Sequence, residues 1–296
     1  MKIIAGTACF LFAALLASPA RGGLSLDFDV LMDDSGYDVS YTLYLEAEAE
    51  TDQVARWSGG VTGPMRQVWL AGELPTPALS AAALLAPELQ SKDSHFLVSD
   101  VDLYPGKAFS ETASDMTAMT GSLTGAFSLL PEAMATRLPL AQVLTPHERR
   151  TELVGQATTR AGDVYNIRVG MVGWGEALGF VYGGSGWDSD ILQVGQPVSF
   201  FGEAHAQAPF SYTVYRVLEN AEEPMLQREV VASSRDRTFS FTPTVAGEYG
   251  VVIMSGNMPV GGPMPSPGFT FTVVPEPTAL GLLAAGMLAA MRKWRR

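Results

Sequence analysis

With 30 Gly, 19 Pro and only 17% charged side chains among 296 residues, the chain has the composition of strands and turns. A helical bundle, richer in Glu, Lys and Leu, is excluded, and the length allows two domains or one large β domain. The formal charge is −12, and without segments 1–20 and 275–296 it is −16, with 14 basic residues against 30 acidic ones; that surface repels DNA and RNA and excludes a nucleic-acid partner.

Met1-Lys2 gives a short positive start, Ile3 to Ala17 an apolar run, and Ser18-Pro19-Ala20 a small-residue cleavage pattern before Arg21. This predicts a secretory signal peptide over residues 1–20, since about 15 apolar residues fall short of the roughly 20 that span a bilayer. The only cysteine, Cys9, lies inside it. The exported part then has no thiol, so disulfides, cysteine nucleophiles and thiolate metal sites are excluded and burial alone must stabilise it.

From Gly23 to Gly186 the pattern predicts strands separated by turns. The clearest is Tyr41 to Glu50, where Tyr41, Leu43, Leu45, Ala47 and Ala49 point one way and Thr42, Tyr44, Glu46, Glu48 and Glu50 the other. Further strands are expected at 24–31, 67–71, 96–103, 127–130, 138–144, 152–159 and 165–171, the last two joined by a hairpin turn at Arg160-Ala161-Gly162-Asp163. Only Ala78–Gln90 invites a helix, which Pro87 would break. The phrases Asp93-Ser94-His95-Phe96-Leu97-Val98 and Leu138-Pro139-Leu140-Ala141-Gln142 are similar to wording in uncharacterised planctomycete-type proteins of the PEP-CTERM class, which are taken to be β-rich.

Between Gly173 and Gly186 six glycines interleave with Trp174, Phe180 and Tyr182. A linker or close-packed β corner is expected there, and a domain boundary with it. Strands then follow at 197–202, 210–218, 227–232, 238–241, 249–254 and 269–273. The run Thr242-Pro243-Thr244-Val245-Ala246-Gly247-Glu248-Tyr249 resembles the penultimate corner of PKD-like and other immunoglobulin-like modules, in which the Tyr packs on the core. The resemblance implies a spacing, presenting or adhesive module over 187–274.

The chain closes with Pro275-Glu276-Pro277, an apolar run from Thr278 to Met291, and Arg292-Lys293-Trp294-Arg295-Arg296. Physical chemistry predicts a short transmembrane helix with a basic cytoplasmic stop. This order over 275–296 resembles the PEP-CTERM sorting signal. It implies Pro275, Glu276 and Pro277 as recognition motif, Arg292, Lys293, Arg295 and Arg296 as stop, and an exosortase-type enzyme as partner at the inner membrane. The destination it implies is the cell envelope, surface or extracellular matrix.

Among candidate sites, His95, His147 and His205 show no metal-ligand spacing and are expected on surfaces or loops. Asp93-Ser94-His95 contains triad residue types, but neighbours in a strand point to opposite faces. Asp27 and Asp29 with Asp33 and Asp34, Asp100 and Asp102, and Asp188 and Asp190 are spaced to share a calcium ion, with Asp188 and Asp190 favoured by their place at the domain junction. No cofactor other than calcium is suggested by the residues. Trp57, Trp69, Trp174 and Trp187 could form a sugar platform, although core positions are the commoner use. Nucleophile-elbow, dinucleotide and Walker patterns are lacking.

The sequence therefore predicts an all-β chain of two β-sandwich domains, 23–186 and 187–274, flanked by a signal peptide and a short C-terminal transmembrane helix. Its expected role is structural, adhesive or interactive and not enzymatic, with surface proteins or extracellular polysaccharide as partners. The alternatives are a carbohydrate-binding module and then a glycoside-processing enzyme.

Overall fold

The computed structural model describes residues 23–32, 38–66, 93–98, 121–184, 192–204, 210–218, 228–255 and 268–275. In chain order the strands are β1 (Leu24–Met32), β2 (Asp38–Ala47), β3 (Val54–Gly63), β4 (His95–Phe96), β5 (Gly121–Ser128) and β6 (Arg137–Pro146). They continue with β7 (Arg150–Thr159), β8 (Val164–Val172), β9 (Glu176–Gly184), β10 (Leu192–Gln193) and β11 (Val198–Ala204). The last five are β12 (Phe210–Val217), β13 (Arg228–Ser234), β14 (Thr238–Phe241), β15 (Gly247–Ser255) and β16 (Gly268–Val274). The chain is all-β, as expected from its composition.

Three sheets result: β1-β2-β6-β4, then β14-β11-β9-β8-β7-β3-β5, then β10-β16-β15-β12-β13. The seven-stranded sheet is the middle layer. One of its faces carries Ile167, Val169, Ala177, Val181 and Phe201 into a core shared with Leu26, Phe28, Tyr41, Leu43 and Leu45 of the first sheet. On the opposite face Leu178, Phe180, Val198 and Phe200 enter a second core with Tyr212, Tyr249, Val251, Ile253 and Phe271 of the third. Strand β9 thus sends alternate side chains into both cores.

The alternation in β2 holds over Tyr41, Leu43 and Leu45, which are buried, and Thr42, Tyr44 and Glu46, which are half-buried; the strand ends at Ala47, before the expected Glu50, and Ala49 is exposed because the chain enters a 3-10 turn at Glu50–Asp52. The β7–β8 hairpin also turns at 160–163, closed by Thr159 N–H donating to the Asp163 carbonyl at 2.8 Å. Expected elements at 67–71, 78–90 and 99–103 lie outside the described residues.

Strands β3 and β9 and the short β10 were not expected from the sequence, and β5 begins six residues before the strand expected at 127–130. Strand β3, around Trp57-Ser58-Gly59-Gly60, carried no strand signal, because glycine weakens one. In the sheet Gly59 pairs with Gly155, and the Trp57 ring lies where a Cβ on Gly155 would point. Trp57 thereby supplies the packing that the two glycines lack.

The Gly-rich stretch expected as a linker or corner forms β9, inside the middle sheet between β11 and β8. At Gly179 an added Cβ would meet Leu26 Cδ1 at 2.6 Å and Phe28 Cζ at 3.1 Å, so glycine lets β1 approach closely. The boundary drawn after residue 186 falls between β9 and β10, outside the described residues. Strands β11 and β14 come after it, yet β11 pairs with β9 from Val198↔Tyr182 to Ala204↔Glu176 and with β14 on its other side.

Because both cores rest on one sheet, they are expected to unfold together. Phe200→Ala in the second core should cost about 3–5 kcal/mol. Amide exchange in β7 and β8, whose buried side chains lie in the first core, should accelerate as much as exchange in β12 and β15. Unchanged protection in β7 and β8 would mean that the two cores open independently.

Candidate functional site

Strand β16 sits between β15 and β10, pairing Gly247↔Val273 antiparallel and Leu192↔Val273 parallel. Val273 is buried, and Val194 N–H donates to the Val274 carbonyl at 3.0 Å. Pro275, which is exposed, lacks an N–H and ends the ladder there. Of the sorting residues read from the sequence, Pro275 alone is described; Glu276, Pro277, Arg292, Lys293, Arg295 and Arg296 lie outside the described residues.

The neighbouring corner holds this end of the sheet. Tyr249 is 2% exposed, stacks on Phe271 with ring centres 5.6 Å apart, and donates its hydroxyl to the Val245 carbonyl at 2.7 Å. Gly247 takes φ +147°, a conformation that favours glycine. Gly195 N–H donates to the Pro243 carbonyl at 2.9 Å, tying the β10–β11 turn to the same corner.

The favoured calcium pair, Asp188 and Asp190, lies outside the described residues, as do Asp33, Asp34, Asp100 and Asp102. On β1, Asp27 is held by Arg137 at 2.8 Å and Asp29 accepts from the Tyr44 hydroxyl at 2.7 Å. Arg137 also reaches Glu46 at 3.1 Å and lies over the Tyr44 ring. These two acids are therefore engaged separately. Among the described residues no group of three or more His, Cys, Asp or Glu is placed to hold a metal ion.

His95 is buried, where a surface or loop position was expected. Its Nδ1 lies 2.8 Å from the Asp93 carbonyl and 3.6 Å from the Asp93 carboxylate. Burial lowers the imidazole pKa, with the Asp93 contacts opposing. Ser94 Oγ accepts from Leu144 N–H at 2.9 Å, and Gln142 donates to the Asp93 carbonyl at 3.1 Å. The triad residue types thus tie the β4 segment to β6. His147 lies in the β6–β7 turn beside the Gly173 carbonyl at 3.2 Å; His205 lies outside the described residues. Trp57 and Trp174 are buried, so neither offers a ring to a sugar; Trp69 and Trp187 are not among the described residues.

One buried group gave no sequence signal. Glu176 is 1% exposed at the start of β9, and Tyr41 donates its hydroxyl to the Val172 carbonyl at 2.5 Å and the Glu176 carbonyl at 3.0 Å. Burial pushes the Glu176 carboxyl pKa up, with Trp174 drawing it back, and burial beside Glu176 pushes the Tyr41 phenol well up. The contacts clamp the β8–β9 turn to the first sheet. A lone Glu in a run of glycines and aromatics has no periodicity that would announce its burial.

Residues 273–296 match the family model of the PEP-CTERM protein-sorting motif. No curated protein matches the chain. The motif marks an exported protein sorted through its C-terminal signal to the cell envelope or surface, associated with a membrane before cleavage by an exosortase-type enzyme. Its first two residues, Val273 and Val274, belong to β16. Among the described residues no helix is long and apolar enough to cross a membrane.

The raised Glu176 pKa has a signed consequence. The stability it contributes is fully present below the unfolded carboxyl value of 4.5 and is lost as pH rises through the higher folded value. Glu176→Gln keeps the shape without titrating. Urea midpoints at about pH 4 and about pH 7 should show the variant gaining on wild type at the higher pH. A constant gap between the two proteins would show that Glu176 has the same pKa folded and unfolded.

Proposed function

We propose that the chain is a non-enzymatic envelope protein that presents its folded body at the cell surface, in a structural, adhesive or interaction role. The observation that carries this reading is the sorting motif beginning inside the last core strand. The motif's membrane stage and the body's fold thus meet with no spacer between them.

The buried polar side chains support a scaffold role. Ser94, Gln142 and Tyr41 each hydrogen-bond backbone of another strand, segment or turn, and His95 the backbone of its own segment. The C-terminal half fits an immunoglobulin-like sandwich. Its five-stranded sheet has a parallel edge pair, β10 with β16, followed by β15, β12 and β13, while β11 and β14 lie opposite. The tyrosine at the β14–β15 corner bonds back four residues upstream, as immunoglobulin-like modules do. In this reading residues 1–20 are removed as a signal peptide, and the partners are surface proteins or extracellular polysaccharide.

A second reading, a carbohydrate-binding module, is favoured by an open trough of about 340 Å³ on the outer face of β5, β3 and β7. Arg56, Ser58, Ser128, Gln156 and Thr158 line it together with the apolar Trp57, Ala126 and Phe127, and no carboxylate is among its lining residues. Cross-strand pairing aligns Ser128, Arg56 and Thr158 in one row and Ser58 with Gln156 in the next. Hydroxyls and amides beside an apolar floor suit a sugar, which has hydroxyls and apolar C–H faces.

Two measurements test these readings. In the native host, wild type should lose its C-terminal segment and leave the membrane fraction, while the Pro275→Ala, Glu276→Ala, Pro277→Ala triple variant stays full-length and membrane-bound; identical size and fractionation would overturn the sorting reading. On an array of neutral and uronate-containing oligosaccharides, the second reading predicts binding by the wild-type body and loss of it in Ser58→Trp, which fills the trough. Absence of wild-type binding would remove that reading.

A further inference from the structure

Side chains of β3, β7 and β8 that turn away from the first core form one continuous outer face. Trp57, Leu153 and Ile167 are buried in that core. Their neighbours Arg56, Glu152 and Arg168 therefore point outward, and the register carries the same face across to β5. The charged side chains of this face are Arg56, Arg150, Arg168 and Glu152, three bases and one acid, a net charge of +2. The body as a whole has a net charge of −16, with 30 acids against 14 bases. One sheet face thus has the opposite sign to the rest.

The three arginines are not equivalent. Arg150 is paired with Glu152, and its guanidinium lies 5.5 Å from the centre of the Phe269 ring. Arg168 lies over the same ring at 4.8 Å and donates to the Thr270 carbonyl at 3.2 Å. Both hold β16 against the middle sheet. Arg56 is exposed and lines the trough, and among the described residues it has no ion-pair or hydrogen-bond partner. Asp52, Glu132 and Asp163 stand beyond the strand ends nearest to it. None of the three forms an ion pair with it.

The other side chains that line the trough carry no charge. Gln156 donates its amide N–H to Asn166 Oδ1 at 3.2 Å, which ties the amide across β7 and β8 and leaves its Oε1 for a ligand hydroxyl. Ser58 and Thr158 add hydroxyls that can donate or accept. A guanidinium is planar, and its paired N–H donors match the two oxygens of a carboxylate. The ligand that fits this set carries a carboxylate and several hydroxyls on one compact unit.

We propose that the trough takes a uronate-bearing segment of a polysaccharide, with the carboxylate on Arg56 and ring hydroxyls on Ser58, Gln156 and Thr158. The proposal rests on the reading of the trough as a sugar site and adds the charge of the sugar. The acidity of the body does not oppose it. Screening limits the reach of exposed charges to about 8 Å at physiological ionic strength, so the face in contact with the ligand decides. Acidic surface elsewhere repels a polyanion and so confines it to this face.

The test is calorimetry with the full chain in neutral detergent micelles. Oligomers of galacturonate, guluronate and glucuronate are each compared with their methyl esters, which keep the hydroxyls and lose the charge. At least one free acid should bind about tenfold more tightly than its ester, the size of one charge-assisted contact. Arg56→Gln should bring that acid to the level of the ester and leave the ester unchanged. Arg56→Lys should keep part of the preference, and Arg235→Gln, in the exposed turn before β14, should keep all of it. Equal binding of acid and ester by wild type, or a preference that survives Arg56→Gln, would overturn the uronate assignment and leave the sugar reading standing. Loss of ester binding in Arg56→Gln would also overturn it, since Arg56 would then shape the trough and not hold the carboxylate. Binding of neither acids nor esters by wild type would overturn both.

Discussion

The antiparallel pairing of β9 with β11 is the interaction on which the rest of the architecture depends. It joins strands from the two halves of the chain and extends one sheet to seven strands. A sheet of that width has two large apolar faces, and each must be covered. The first sheet covers one, through Leu26, Phe28 and Tyr41, and the third covers the other, through Tyr212, Tyr249 and Phe271. Without the pairing, β9 would expose Leu178 and Phe180, and β11 would expose Val198 and Phe200. Neither core would then be closed.

The same pairing explains what the sequence displayed and what it concealed. Strand β2 has one covered face and one solvated face, so its residues alternate and its orientation can be read directly. Strand β9 is covered on both faces, so Glu176-Ala177-Leu178-Gly179-Phe180-Val181 shows no polar alternation. Its glycines then look like punctuation, although Gly179 marks a close approach between sheets. Strand β3 was hidden for a related reason, since Trp57 covers the paired glycines 59 and 155 through a contact with no trace in local sequence. The sorting motif was legible because it is linear, and the β14–β15 corner because one turn fixes its chemistry. Glu176 and His95 were not, because burial of a lone titratable group depends on distant strands.

With one cysteine the chain can form no internal disulfide, which places particular weight on the buried polar contacts. Tyr41 crosses from the first sheet to the β8–β9 turn, and its one O–H is shared between the Val172 and Glu176 carbonyls, so the buried phenol finds its partner there. Tyr249 is buried in the second core and donates to the Val245 carbonyl at the β14–β15 corner. A buried phenol left without a partner would cost about 1–3 kcal/mol. These contacts therefore remove a penalty on the phenols themselves while they tie each turn to its core. Each large ring also fills core volume, so one residue serves packing and hydrogen bonding together.

Joining the sorting motif to β16 without a spacer links folding to sorting. Val273 and Val274 are counted by the motif and are also held by β10 and β15. Proline at 275 ends the ladder because it cannot donate to it, and it also opens the sorting sequence. One residue therefore marks where the fold stops and where processing information starts. A longer linker would let the body swing freely, and its net charge of −16 would then carry it away from an anionic leaflet. The short one holds the end of β16 close to the membrane for as long as the tail is associated with it.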